Sequence, residues 1–377
     1  MKDRVPAMSS RIVLFGASGY TGELAAREMV ARGMTPVLAG RRRQPLERLA
    51  GELGGLELAV ADVEQPASVR ALVGKGDVLV STVGPFMRFG QPALDAALSA
   101  GAHYLDSTGE GPFIRRVFEQ AGPRARAEGT VLLTAMGYDY VPGNLAGALA
   151  LREAGDAAHR VEIGYCWQNE GGGSASGMSG GTRASAAGVA FEPSFAWRGG
   201  RLVTERGAKE IRSFDTGAGH SADGVSIGGS EHFGLPQIDP QLKEVGVYLA
   251  WFGSLTKPMQ IFSAGGAAVT KIPGVRAGLG ALSSKFVTGS TGGPDAAARA
   301  GSRSIICAVT YDRAGKQLSS VRLNGPNGYD LTAAFLAWGA EQVAAGKVSG
   351  SGALGPVEAF GLDELTAAAA SYGLKAD

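Results

Sequence analysis

Residues 16–22 read Gly-Ala-Ser-Gly-Tyr-Thr-Gly, directly after Arg11-Ile12-Val13-Leu14-Phe15 and directly before a stretch of helical period. A buried parallel strand that turns at once into a helix, with the first free N–H groups facing a pyrophosphate, leaves no room for Cβ atoms at the turn or at the nearest backbone approach. Gly16, Gly19 and Gly22 meet those demands. The chain holds 59 glycines, so the spacing alone also fits an ordinary glycine-rich turn. The pattern downstream separates the two readings.

That pattern alternates strand and helix signals with short connections up to residue 155, as right-handed βαβ units do. Strands are predicted at 11–15, 36–39, 57–61, 77–82, 103–106 and 130–135, and helices at 21–32, 45–53, 66–73, 91–100 and 112–128. Pro45, Pro66, Pro92 and Pro112 each fall where a first helical turn tolerates a missing N–H. The expected fold class is α/β: a Rossmann-type doubly wound parallel sheet of order 3-2-1-4-5-6, with ligands at the carboxyl ends of the strands. One more helix, 144–153, leads out of it. Strands at 161–168, 200–205, 245–252, 303–312 and 317–323 then suggest a second, more antiparallel α+β domain for substrate and dimerisation. The expected division is 1–155 for the dinucleotide-binding domain, 156–327 for the second domain, and 328–377 for helices that return to the first.

The end of the second strand chooses the dinucleotide. An NAD site places a carboxylate there for the ribose 2′-OH, whereas this chain reads Gly40-Arg41-Arg42-Arg43. Guanidinium forks match phosphate oxygens, so Arg41 and Arg42 are the expected 2′-phosphate ligands and NADP(H) the expected cofactor. Three arginines merely solvating a helix start is the alternative. It is disfavoured because cations at a helix N-terminus need an anion. Asp62 is placed for the adenine edge or, equally, for an Asx cap. Val83 and Gly84, with Phe86 beyond, are expected to pass beside the second phosphate and ribose. Ser18, Tyr20 and Thr21 are expected at the pyrophosphate or the mouth of the cleft.

Composition narrows the partners. Lys plus Arg number 36 against 35 Asp plus Glu, and the net charge of +1 gives no footprint for nucleic acid or an anionic bilayer. A small-molecule substrate is expected. Cys166 and Cys307 stand far apart without a neighbouring ligand type, which argues against a disulfide framework and a zinc site, so no metal is expected. No leader-like apolar region opens the chain and no integral membrane segment is evident, so a cytoplasmic homodimer is expected.

Four further segments carry a family signal: STVGPFMRFGQPALDAALSAGAHYLDSTGE at 81–110, SGGTRASA at 179–186, GYDYVPGNLAG at 137–147 and GALGPVEAFG at 352–361. With them the chain resembles the saccharopine dehydrogenase-like oxidoreductases, in the group of saccharopine reductase and the trans-acting enoyl reductases. The resemblance implies an NADP-binding Rossmann domain, an inserted α/β substrate domain, and reduction of a C=N or activated C=C bond. The chain departs from it at one place. Trans-acting enoyl reductases carry a Cys-Gly-Phe-Asp-Ser-Ile-Pro-like segment where this one has Met136-Gly137-Tyr138-Asp139-Tyr140-Val141-Pro142.

Hydride transfer needs the nicotinamide about 3–3.5 Å from an electrophilic carbon and a proton donor for the neighbouring atom. Strand ends four to six supply the candidates. Tyr138 or Asp139 is expected as proton relay or substrate anchor, and Asp106 as a catalytic or substrate-orienting group, although Asp106 also fits a helix cap. Glu110 and Arg183 complete the expected substrate ligands. His103 reads as structural. Aromatic segments at 191–197 and 248–252, with Phe233, suggest a wall for a hydrophobic substrate or simple core packing.

Rival classes are weighed by what they lack. Short-chain dehydrogenases need Tyr four residues before Lys, and none of the nine tyrosines has it. N-acetylglutamyl-phosphate reductases share GASGYTG but need an exposed nucleophilic cysteine, whereas both thiols here lie in strand-like apolar runs. A trans-acting enoyl reductase acting on a thioester-bound polyketide stays open, as does a non-catalytic NADP-binding redox sensor.

Overall fold

The computed structural model describes residues 10–169, 193–269 and 292–377. In it the short runs β1 (Ile12–Phe15), β2 (Val37–Gly40), β3 (Leu58–Val60), β4 (Val78–Ser81), β5 (His103–Asp106) and β6 (Val131–Leu133) form one parallel sheet. Its order is 3-2-1-4-5-6, and a late strand, Gly352–Ala353, adds a seventh position beside β6. Val13, Leu14, Leu38, Leu79, Val80 and Leu105 are fully buried, because helices cover both faces.

The covering helices are α1 (Tyr20–Ala31), α2 (Arg43–Glu52), α3 (Pro66–Arg70), α4 (Phe86–Phe89), α5 (Gln91–Ala100), α6 (Gly111–Arg116), α7 (Gly122–Glu128) and α8 (Val141–Ala154). Prolines open α3, α5, α6, α7 and α8. Pro45 is instead the third residue of α2, still within the four N–H groups that have no helical partner. The single helix expected over 112–128 is broken by a π-helical turn, Val117–Ala121, ahead of Gly122-Pro123.

The second sheet is mixed. It comprises β7 (Arg160–Asn169), β8 (Pro193–Arg198), β9 (Arg201–Arg206), β10 (Ile211–Gly217), β11 (His220–Ile227), β12 (Glu244–Ala250), β13 (Ser302–Tyr311) and β14 (Gln317–Gly325); β15 is the Gly352–Ala353 strand of the first sheet, and β16 (Lys375–Ala376) joins the second. The main path runs 10-11-12-7-13-14-16, with β7 and β12 parallel and the other paired strands antiparallel. The β10–β11 hairpin was not legible in the sequence. Its residues are mostly polar or glycine, so the apolar alternation that marks a strand is missing.

Two helices join the sheets. All of α8 from Val141 to Leu151 is buried, because it lies between β7, β13 and β14 of the second sheet and the helices at Glu231–Ile238, Pro356–Phe360 and Leu362–Ser371. A helix apolar all round, VPGNLAGALAL, is what that position requires. The remaining helices are α9 (Glu231–Ile238), α10 (Thr256–Val269), α11 (Ala296–Ala300), α12 (Gly328–Ala344), α13 (Pro356–Phe360) and α14 (Leu362–Ser371). Of these α12 returns to pack on α1, β4 and β5.

Candidate functional site

The glycine turn sits at the point where the sheet order reverses, between β1 and its neighbours β2 and β4. Gly16 has φ +94°, and a Cβ there would lie 2.6 Å from Thr82 Oγ1. A Cβ on Gly22 would lie 2.1 Å from the Gly16 carbonyl, so this glycine lets α1 seat against the turn. Gly19 differs: its Cβ would meet only the Gly16 carbonyl, at 3.2 Å, and the other side is open. No side chain caps α1. Its first N–H groups and the half-buried Ser18 and Thr21 thus form a cradle fitted to a pyrophosphate.

Arg41 and Arg42 follow β2 and are exposed, and neither forms an ion pair among the described residues. Asp62 Oδ1 accepts the Glu64 N–H at 3.0 Å, the Asx turn that its position also allowed. Val83 and Gly84 stand exposed or half-exposed after β4. Tyr20 shapes the mouth. Its hydroxyl donates to the Pro294 carbonyl at 2.5 Å and accepts from Arg299 Nη1 at 3.1 Å, so the second domain holds the start of α1.

Phe86 is a correction. Its ring is 5% exposed and packs against Phe113, and its N–H donates to Glu110 Oε1 at 2.6 Å, so neither is free for a cofactor. Glu110, expected at the substrate, spends its second oxygen on the Met87 N–H at 2.9 Å and so caps α4. Burial raises its pKa. Asp106 is also corrected. It is 0% exposed and accepts from the Thr108 and Ala135 N–H groups and the Thr134 hydroxyl. Burial lifts it to about 6, and its task is to tie the ends of β5 and β6 together. His103 Nδ1 accepts the Val131 N–H, a structural bond.

Of the expected reacting groups, Asp139 stands apart. It follows β6 at the carboxyl end of the sheet, is half-buried, and receives no hydrogen bond to its carboxyl among the described residues. Burial pushes it up to about 7. Its neighbour Tyr138 is 4% exposed and stacks on Trp251. The Tyr138 hydroxyl donates to the Cys166 carbonyl at 3.4 Å and its pKa is raised by burial, so it is already engaged and a poor proton relay. Phe195 and Phe233 of the expected wall pack on each other, with Phe233 also stacked on Phe118. Cys166 and Cys307 are buried on adjacent strands. Arg183, with Ser179 and Thr182, lies outside the described residues.

Sequence reasoning missed Glu231 and Tyr165. Glu231 opens α9, is fully buried, and accepts the Tyr165 hydroxyl at 2.6 Å. A lone Glu ninety-odd positions from Asp139 carries no signal until α9 folds against α8.

A doubly wound parallel sheet with a bare glycine turn at its reversal point and arginines after β2 defines a dinucleotide-binding domain. Residues 12–133 match the saccharopine dehydrogenase NADP binding domain. Those residues are thus similar to the NADP-binding domain of saccharopine dehydrogenase. The trans-acting enoyl reductase of Mycobacterium leprae (strain TN) is 36% identical over 140 residues, 36% of this chain and 34% of that protein. The trans-acting enoyl reductase of Mycobacterium ulcerans (strain Agy99) is likewise 36% identical over 140 residues. The match thus spans about a third of the length of these curated relatives, 34%. Saccharopine dehydrogenase (L-Glu forming) from Saccharomyces cerevisiae shares the fold, with a TM-score of 0.59 at 13% identity over 98% of this chain and 99% of that one. No helix among the described residues is long and apolar enough to cross a membrane.

Proposed function

We propose that the chain is an NADPH-dependent reductase of a C=N or activated C=C bond in a small hydrophobic substrate. Asp139 supports this best: a half-buried carboxyl, committed to no described donor, that burial holds at a pKa of about 7. When bound, NADPH supplies the hydride for the electrophilic carbon. Asp139 gives its proton to the adjacent atom and regains one from solvent through its exposed side. Arg41 and Arg42 take the 2′-phosphate, and Ser18, Gly19 and Thr21 the pyrophosphate. Val83 and Gly84 border the nicotinamide half and Asp62 the adenine. Trp251 and Tyr138 supply an apolar wall.

The 36% identity to trans-acting enoyl reductases favours a second reading, reduction of an enoyl thioester on a polyketide. The test is NADPH oxidation by the full chain with a panel of cyclic imines, enones and enoyl thioesters, beside Asp139→Asn. Turnover of imines or enones that is lost in the variant supports the main reading, and turnover of thioesters alone supports the second. NADPH binding without any turnover returns the redox sensor. A cytoplasmic homodimer, joined through the second sheet, completes the proposal; light scattering tests the dimer.

A further inference from the structure

Asp139 is held between two tyrosines, and both lean on a third. Tyr165, from β7, packs edge-on against Tyr138 and against Tyr140, with ring centroids 5.6 Å apart in each case. Its hydroxyl accepts the Gly143 N–H at 2.9 Å and donates to Glu231 Oε1 at 2.6 Å. The other carboxyl oxygen, Glu231 Oε2, is buried without a partner among the described residues. As packing this is a poor choice, since an aliphatic side chain avoids the desolvation that a buried carboxyl suffers. The backbone nevertheless makes room for it. A Cβ on Gly143 would lie 2.2 Å from Oε1, and one on Gly229 would lie 2.4 Å from Oε2 and 3.1 Å from the Tyr140 ring.

We propose that Glu231, carried by the second domain, is a positioning residue for the reduction: its bond to Tyr165 fixes the tyrosines on either side of Asp139, and the two buried carboxyls lose their protons as a linked pair. This rests on the reading of Asp139 as proton donor. The groups around the two carboxyls are Tyr138 and Tyr140 on the same stretch, Tyr165 from β7, His232 beside Glu231 on α9, and Glu110 before α6; Arg198 acts on His232 from β8. Burial lifts Glu231 to about 8, and the charge of Asp139 raises it further in the same direction. Two carboxyls that oppose each other's ionisation lose their protons in two linked steps. Over the interval between those steps one proton is shared, and Asp139 keeps part of it at a pH where it would otherwise be bare. The second domain thereby tunes an acid that belongs to the first.

The experiment is a carbon-13 NMR titration of aspartate carboxyls in the full chain, with the Asp139 signal assigned from Asp139→Asn. In the native chain the Asp139 curve is expected to carry an alkaline tail. In Glu231→Gln, which still accepts from Tyr165, a single step without that tail is expected, with the Asp139 curve complete at lower pH than in the native chain. Tyr165→Phe strands a second buried carboxyl oxygen, disfavours the Glu231 charge, and is expected to move the curve the same way; it serves as the variant to read if Glu231→Gln does not fold. Glu231→Asp keeps the charge and should restore most of the tail. An Asp139 curve unchanged in the folded variants overturns the proposal, because a packing role alone would not move it. The titration needs no substrate, so its failure is separate from that of the Asp139→Asn turnover test.

Discussion

A carboxyl with a pKa near 7 is protonated about half the time at neutral pH, where a surface aspartate is almost entirely bare. For Asp139 this makes donation the favoured direction. Asp139→Asn is expected to lower kcat by about 10²–10⁴ with NADPH affinity unchanged, measured by NADPH oxidation and calorimetric titration. In the native enzyme kcat/KM should fall as pH rises through about 7, the value of the acid that must be protonated. The same shift acts on folding. The unfolded carboxyl ionises near about 4 and the folded one near 7, so folding takes up a proton between them and stability is lost as pH rises across that window. Asp139→Asn should therefore stabilise the chain at about pH 8, by on the order of 1–3 kcal/mol, and leave it nearly unchanged near about pH 4, as read by urea unfolding. The glycines divide along similar lines. Gly22→Ala forces a Cβ into the Gly16 carbonyl and should cost about 1–3 kcal/mol of stability. Gly19→Ala meets little, and should fold while losing about tenfold or more in NADPH affinity by calorimetry.

Helix α2 begins with arginine at its N-cap and at its first position, and no carboxylate stands in its first turn. Cations at that end oppose the helix dipole by about 0.3–1 kcal/mol unless an anion joins them. The doubled change Arg41→Ala plus Arg42→Ala should consequently leave the free protein as stable or slightly more so. Its NADPH affinity should fall by about 10- to 100-fold while NADH affinity stays put, by side-by-side calorimetric titration. Equal loss for both dinucleotides would mean the arginines do not read the 2′-phosphate. Elements such as this were legible along the chain because a turn, a strand end and a helix start are local events. The β10–β11 hairpin and the π-helical break after α6 were not, since the two strands are mostly polar and a π turn depends on what packs beneath it.

The two sheets are stitched by α8 and α12 and by a strand, β15, that returns to the first sheet only after the second has been built. Neither half has its full core without the other. Phe335 of α12 is fully buried and contacts Tyr372 edge-on. Phe335→Ala should cost about 3–5 kcal/mol. Native-state hydrogen exchange should show the loss in the strands of both sheets at once, whereas loss confined to the first sheet would mean that the domains unfold separately.

Local chemistry along the chain was enough for the alternating strands and helices of the first domain, the glycine turn and the arginines after β2. Buried parallel strands must be apolar throughout, and a phosphate cradle must lack Cβ atoms wherever it occurs. The roles of single polar residues were not readable in that way. Asp106 and Glu110 have the same chemistry as Asp139, and only packing separates them: donors from β6 and α4 fill the first two and leave the third uncommitted. Glu231 acquires meaning only when α9 brings it behind Tyr140 and Tyr165, because burial and neighbouring charge, which set a carboxyl's proton affinity, are properties of the folded chain.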